Sequence, residues 1–220
     1  MIDREGFAVV GEASDGREAV RLAHELCPDI ALLDFNMPML NGIDAGGAIL
    51  QTSPKTKLIL LTMHAEDHHV LEALRAGFKG YVLKTKAAEE LIQAIQDVSR
   101  GKRYLTPGVS EAVVQAYLAK TDMPPEPLSG REREVLQLVA EGKTTKEVGV
   151  LLGISTKTAE SHRTRIMAKL NIHETASLVR YAIRRGLVQP YPPRFKTSSM
   201  LRDFLTSHCR LCLIDSAFPC

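Results

Sequence analysis

The sequence predicts an α/β domain built on a parallel sheet, followed by an all-α domain of four helices. Three observations carry this. Through the first hundred residues, short continuous apolar runs alternate with helical spacing. From Leu128 onward every periodic segment is helical and opens on a capping residue. Charge divides along the same line: residues 1–103 hold 12 Lys and Arg against 15 Asp and Glu, whereas residues 127–190 hold 11 against 6. A compact basic segment after an acidic one indicates that only the second meets a polyanion.

The elements follow in order. Ala8–Ala13 is a strand, and Gly16–Leu26 a helix with Ala19, Val20, Ala23 and Leu26 on one face. Ile30–Leu33 is a buried strand ending at Asp34. Ile43–Leu50 is a helix weakened by Gly46 and Gly47. Leu58–Leu61 is a strand ending at Thr62, and Asp67–Ala76 a helix closed by Gly77. Tyr81–Leu83 is a strand ending at Lys84, and Ala88–Arg100 an amphipathic helix. Strands that are apolar throughout belong to a sheet covered on both faces. Working groups gather at the carboxyl ends of such strands, here a carboxylate, a hydroxyl and an ammonium. Residues 104–126 form a connector with one expected helix, Ser110–Ala119, stopped by Met123-Pro-Pro-Glu-Pro.

The second domain spans 127–190. Ser129-Gly-Arg-Glu132 is a capping-box pattern opening a helix over Arg131–Glu141. Thr144 or Thr145 opens a second helix through Leu152. Ser155 opens a third through Leu170, and a fourth covers Thr175–Arg185. The third helix carries Lys157, Arg163, Arg165 and Lys169 outward, with Ala159, Ile166 and Leu170 available for the core.

Leu32-Leu33-Asp34-Phe-Asn36-Met37-Pro38, Gly42, Leu61-Thr62 and Tyr81-Val-Leu-Lys84 resemble the receiver domain of two-component response regulators, over roughly residues 1–103. Leu128-Ser-Gly-Arg-Glu132-Arg-Glu134-Val-Leu136, Leu152-Gly153-Ile154-Ser155, Thr158, His162, Ile166 and Lys169-Leu170 resemble the LuxR-type helix-turn-helix domain. Together they place the chain with the NarL/FixJ class. The resemblance implies a flavodoxin-like receiver. It makes Asp34 the phosphoacceptor, Thr62 and Tyr81 the switch pair and Lys84 the phosphate-binding lysine. It assigns a Mg²⁺ ion to Asp34 and the backbone carbonyl of Asn36. It implies a sensor histidine kinase, duplex DNA and a second copy of the chain as partners, and a transcription regulator rather than an enzyme. Lys157, Thr158, Ser161 and His162 are the candidates for base edges, His162 equally as a packed residue. Arg163, Arg165 and Lys169 are the candidates for phosphates. Gly149 and Ala159 replace bulkier residues of the family pattern.

The family's first strand, its acidic pair and its first helix have no counterpart at the start of this sequence. The expectation is a receiver with a gap between the strands at 8–13 and 29–34, an incomplete Mg²⁺ site, and lower stability than the second domain. The alternative function is a phosphorylation-independent DNA-binding protein whose receiver serves dimerisation or partner docking. A free-standing phosphohydrolase would need the acidic pair and a substrate pocket, and the sequence offers neither. No apolar run reaches the ~18–20 residues of a membrane span, the N-terminus lacks a signal pattern, and the expected compartment is the cytoplasm. Residues 191–220 match neither family, and the favoured reading is a frame-shifted or read-through extension. His208-Cys209 with Cys212 is an alternative half zinc site. Arg210–Asp215 is an alternative replacement for the absent strand.

Overall fold

In the computed structural model the described residues are 7–63, 67–85, 88–109, 127–188 and 211–216. The chain divides into two compact units. One comprises Met1–Met123 together with Phe195–Cys220, and the other Pro124–Arg194.

The first unit is a six-stranded sheet: β1 (Phe7–Ala13), β2 (Ile30–Asp34), β3 (Lys57–Thr62), β4 (Gly80–Leu83), β5 (Tyr104–Leu105) and β6 (Leu211–Ser216), in the spatial order β1-β6-β2-β3-β4-β5. β2 to β5 are mutually parallel, whereas β6 runs antiparallel to both neighbours, β1 and β2. The expected gap between β1 and β2 is therefore closed, and the alternative reading of the tail, a replacement strand around Arg210–Asp215, is the one the sheet pairing bears out. Ile30, Ala31, Leu32 and Leu33 each have a Cα partner on β6, from Ile214 to Leu211. β1 meets the other edge of β6 from Phe7 opposite Ser216 to Ala13 opposite Leu211, with an irregularity between Val9 and Gly11. Leu213 and Ile214 are both fully buried, on opposite faces of the sheet.

Helices α1 (Gly16–Leu26), α2 (Asn41-capped, Gly42–Thr52), α3 (Asp67–Arg75) and α4 (Ala88–Ser99) connect the strands. One core layer joins Leu33, Leu60, Tyr81 and Leu213 of the sheet to Ala19, Ala23, Ile49 and Ala73. The opposite layer joins Ile30, Leu32, Ile59, Leu61 and Ile214 to Leu91, Ala94, Ile95 and Val98 of α4. This alternation along each strand is the two-sided burial that the apolar runs require. Gly46, a poor helix former, lies where α2 crosses Phe78: a Cβ there would stand 2.5 Å from the ring. Its cost in helix propensity is the condition for close helix–sheet packing. Tyr104–Leu105, expected within a connector, instead forms the edge strand β5 beside β4. The helix expected over Ser110–Ala119 lies outside the described residues, as do His208 and Cys209; Cys212 belongs to β6.

The second unit contains α5 (Gly130–Ala140), α6 (Thr145–Leu152), α7 (Thr156–Leu170) and α8 (Thr175–Arg184). Two of the four helices open on complete capping boxes, Ser129 with Glu132 and Thr144 with Glu147. α7 is capped by Ser155, whose side chain accepts from the Thr158 amide. Val135, Leu136, Leu138, Val148, Leu152, Ala159, Ile166, Leu178 and Ala182 form the buried interior. α6 and α7 are joined by Gly153-Ile154-Ser155, with Gly153 in the left-handed conformation at φ +64°.

Glu132 serves this unit twice. Its carboxylate accepts from the Ser129 backbone amide at 2.8 Å and from Lys169 Nζ at 2.7 Å, joining the cap of α5 to the last turn of α7. The Lys169 ammonium first, and Ser129 after it, hold the Glu132 carboxyl at about 2, against the opposing effect of burial. A depressed carboxyl contributes stability that is complete above the ordinary range near 4.5 and is lost as pH falls through about 2. Glu132 is buried, but the Lys169 side chain is exposed and solvent screens the pair from that side, so about 1–2 kcal/mol is the expected contribution rather than the whole shift. Glu132→Gln in a fragment spanning 127–190 is expected to lower stability by that amount at neutral pH and to flatten its acid dependence between pH 4.5 and 2. Urea unfolding at several pH values checks this. An unchanged acid limb would show that the ion pair carries no stability.

Candidate functional sites: a crevice at the strand ends and a basic helix

The parallel register of β2, β3 and β4 brings three functional groups to one edge. Asp34 is opposite Leu61, and Thr62 is opposite Leu83. The next residue after β4, Lys84, donates its backbone amide to the Thr62 carbonyl at 2.8 Å. Its Nζ donates to Asp34 Oδ2 at 2.6 Å, with both side chains largely covered. The other oxygen, Oδ1, accepts from the Asn36 amide at 3.0 Å. Gly42, at the start of α2, fits against the strand end because a Cβ there would stand 2.3 Å from the Asp34 carbonyl oxygen. Thr62 and Tyr81 are both fully buried.

Two residues of this neighbourhood were not singled out from the sequence. His69 of α3 is buried, and its ring meets that of Phe35 edge-on at 4.7 Å. Thr106, just beyond β5, is also buried; its Oγ1 accepts from the Leu83 amide at 3.3 Å, and its own amide donates to the Tyr81 carbonyl at 3.1 Å. Thr106 thus fixes the backbone of β4 immediately before Lys84. Neither residue stands in a motif; only their neighbours in space mark them.

The donor set around Asp34 does not fit a Mg²⁺ ion. That ion takes hard oxygen ligands, usually one or two carboxylates besides water and phosphate. Both Asp34 oxygens already accept hydrogen bonds, one of them from an ammonium. Among the described residues no three His, Cys, Asp or Glu converge to hold a metal. The acid in β6 does not help. Because β6 runs antiparallel, Asp215 is opposite Ala8 and one residue beyond the Ile30–Ile214 pair. That is roughly 16 Å along the strands from the level of Asp34, at about 3.3 Å per residue.

On α7, Lys157, Ser161, Thr164 and Ala168 form an exposed stripe at helical spacing, opposite the buried Ala159 and Ile166. Arg165 and Thr158 flank this stripe and are exposed. The Thr158 hydroxyl shares a hydrogen bond with that of Ser155 at 2.8 Å. Two of the expected phosphate contacts have partners within the unit: Lys169 pairs with Glu132, and Arg163 donates to Thr175 Oγ1 at 2.6 Å. His162 is half-buried, with Nδ1 inside and without a hydrogen-bond partner among the described residues. Glu160 and Thr164 are also exposed on the same helix. Arg165 and Lys157 are exposed cations on this helix.

A sheet edge joining carboxylate, hydroxyl and lysine, in a chain that also holds a capped helix-turn-helix with a basic outer helix, defines a signal receiver coupled to a DNA-binding output. Residues 1–96 match the response regulator receiver domain, and residues 126–182 match the bacterial regulatory proteins of the luxR family. The chain is 41% identical over 182 residues to the transcriptional regulatory protein LiaR of Bacillus subtilis, covering 82% of this chain and 86% of that protein. It is 36% identical over 193 residues to the oxygen regulatory protein NreC of Staphylococcus carnosus, covering 84% and 89%. Among solved structures, RcsB of Salmonella enterica serovar Typhimurium, bound to promoter rprA in the presence of phosphomimetic BeF₃⁻, is similar with a TM-score of 0.52. The identity there is 27%, over 79% of this chain and 84% of that one. The chain belongs to the NarL/FixJ class of two-component response regulators, with a receiver domain and a LuxR-type helix-turn-helix output. It is a DNA-binding transcription regulator. Among the described residues, no helix is long and apolar enough to cross a membrane.

Proposed function

We propose that the chain binds duplex DNA through the exposed stripe of α7, as a homodimer in the cytoplasm, and that Asp34 accepts a phosphoryl group from a sensor histidine kinase. The observation that supports the second part is the convergence of Asp34, Thr62 and Lys84 at adjacent strand ends. An Asp34 oxygen would attack the phosphorus of a phosphohistidine. The P–N bond breaks, its electron pair returns to the imidazole, and an acyl phosphate forms. The Lys84 ammonium, already on Asp34 Oδ2, would then face the phosphoryl oxygens. Thr62 supplies the hydroxyl that follows the phosphoryl group, and Tyr81 the aromatic ring coupled to it.

A second reading is favoured by the poor fit of the crevice to a divalent cation. In it the receiver works without phosphorylation, as a dimerisation or docking module. Intact-mass measurement after incubation with acetyl phosphate and Mg²⁺ separates the two. The first reading expects addition of one phosphoryl group that Asp34→Asn removes; the second expects slight modification, unaffected by Asp34→Asn. Substantial addition of one phosphoryl group, lost in Asp34→Asn, would establish the first reading without the expected cation ligands.

A further inference from the structure

We propose that β6 is exchanged between two copies of this chain, each C-terminal strand completing the sheet of the other, so that the slot between β1 and β2 is the dimer interface. The inference rests on the homodimer reading above and names the surface that makes the dimer.

The placement of β6 supports this. It is an interior strand, second from the edge and hydrogen-bonded to neighbours on both sides, with Leu213 buried in one core layer and Ile214 in the other. Yet no tight turn ties it to either neighbour. Neighbouring antiparallel strands are commonly joined by two to five residues. Here Leu105 ends β5 and Leu211 begins β6, and a whole compact unit, Pro124–Arg194, lies between them. Sixteen residues separate that unit from β6. A segment of that length spans up to roughly 55 Å when extended, more than the ~30 Å diameter of a domain this size. Chain length therefore permits β6 to reach the slot of an adjacent copy.

Every contact that β6 makes in its own sheet is available in the partner's, because the two slots are identical. Exchange of an identical element thus changes only the connections and the dependence on concentration. It also needs no new apolar surface on the outside of the receiver. Each exchanged strand keeps its ladders to β1 and β2, and the two chains become joined at two sheets at once. A dimer held in this way separates only when a sheet opens, and it persists on dilution.

A cysteine pair reads the exchange directly. Glu12 is exposed and is the Cα partner of Cys212. The Cα spacing of directly opposed antiparallel residues, about 4.5–5.5 Å, lies within the disulfide range. In the full chain, Glu12→Cys is combined with Cys27→Ser, Cys209→Ser and Cys220→Ser, with Cys212 retained. The protein is refolded at a series of concentrations, oxidised, and analysed by intact mass without reductant. The expected product at high protein concentration is a covalent dimer linked between position 12 of one chain and 212 of the other. An exclusively intrachain link at every concentration would overturn the proposal, as would the absence of both links. The unmodified chain gives an independent reading. Versions carrying long and short tags are expected to form mixed dimers when refolded together and not when mixed after folding. Rapid formation of mixed dimers from folded protein would overturn exchange while leaving the homodimer reading intact. Monomer throughout would remove both.

Discussion

Deleting residues 211–220 is expected to unfold the receiver and leave the helix-turn-helix unit folded. Without β6 the sheet loses its contact with β1, and β2 loses the ladder on one edge. Leu213 and Ile214 are fully buried, at about 1.5–3 kcal/mol each. The two ladders and the neighbours' lost burial add to this, against a total of ~5–15 kcal/mol for a whole domain. Leu213→Ala is the milder form and is expected to cost about 2–5 kcal/mol. Hydrogen exchange by residue checks both. In the intact chain Ile30–Leu33 should be protected. In the deletion they should exchange freely, while Val135–Val139 and Ala159–Ile166 stay protected. Protection of Ile30–Leu33 after the deletion would show that the sheet does not depend on β6.

The second large effect concerns DNA. Lys157→Glu with Arg165→Glu is expected to abolish measurable binding at moderate salt. Each reversal removes a cation from the exposed side of α7 and brings a carboxylate against phosphates. Arg165→Ala alone should weaken binding to all sequences alike and lower the salt slope by about 1. Lys157→Ala should also relax preference at one base pair. Lys169→Ala should behave differently, since its ammonium is paired with Glu132: a loss of stability is expected to exceed the loss of affinity measured on the folded fraction. Fluorescence anisotropy at several salt concentrations, with parallel unfolding curves, checks the set. Binding unchanged in the double reversal would remove α7 as the interface.

These expectations show which parts of the molecule are local in sequence. Alternating strands and helices, the ends of β2, β3 and β4, and the capping boxes at Ser129 and Thr144 are written in short windows, and the structure has them within a residue or two. The role of Leu211–Ser216 is not. Six residues of an apolar run read the same whichever way the strand runs, and its direction decides where Asp215 ends up. The partnership of Glu132 with Lys169 also spans 37 positions, so both residues look like ordinary surface charges until the helices pack. Gly46 read as a flaw in α2 because the ring of Phe78, to which it yields room, is 32 residues away.

The position of β6 also orders events during synthesis. Ile30 is made 184 positions before Ile214, and the two are partners in the sheet. Domains generally fold as they emerge, the N-terminal one first. Here that order is reversed. The helix-turn-helix unit has all its residues by Arg194 and folds through contacts within itself, whereas the receiver waits for Leu211–Ser216, made after that unit, to gain an interior strand. A nascent chain therefore acquires its DNA-binding output before the input domain that governs it, and the exposed edges of β1 and β2 are the part most open to misassembly in that interval.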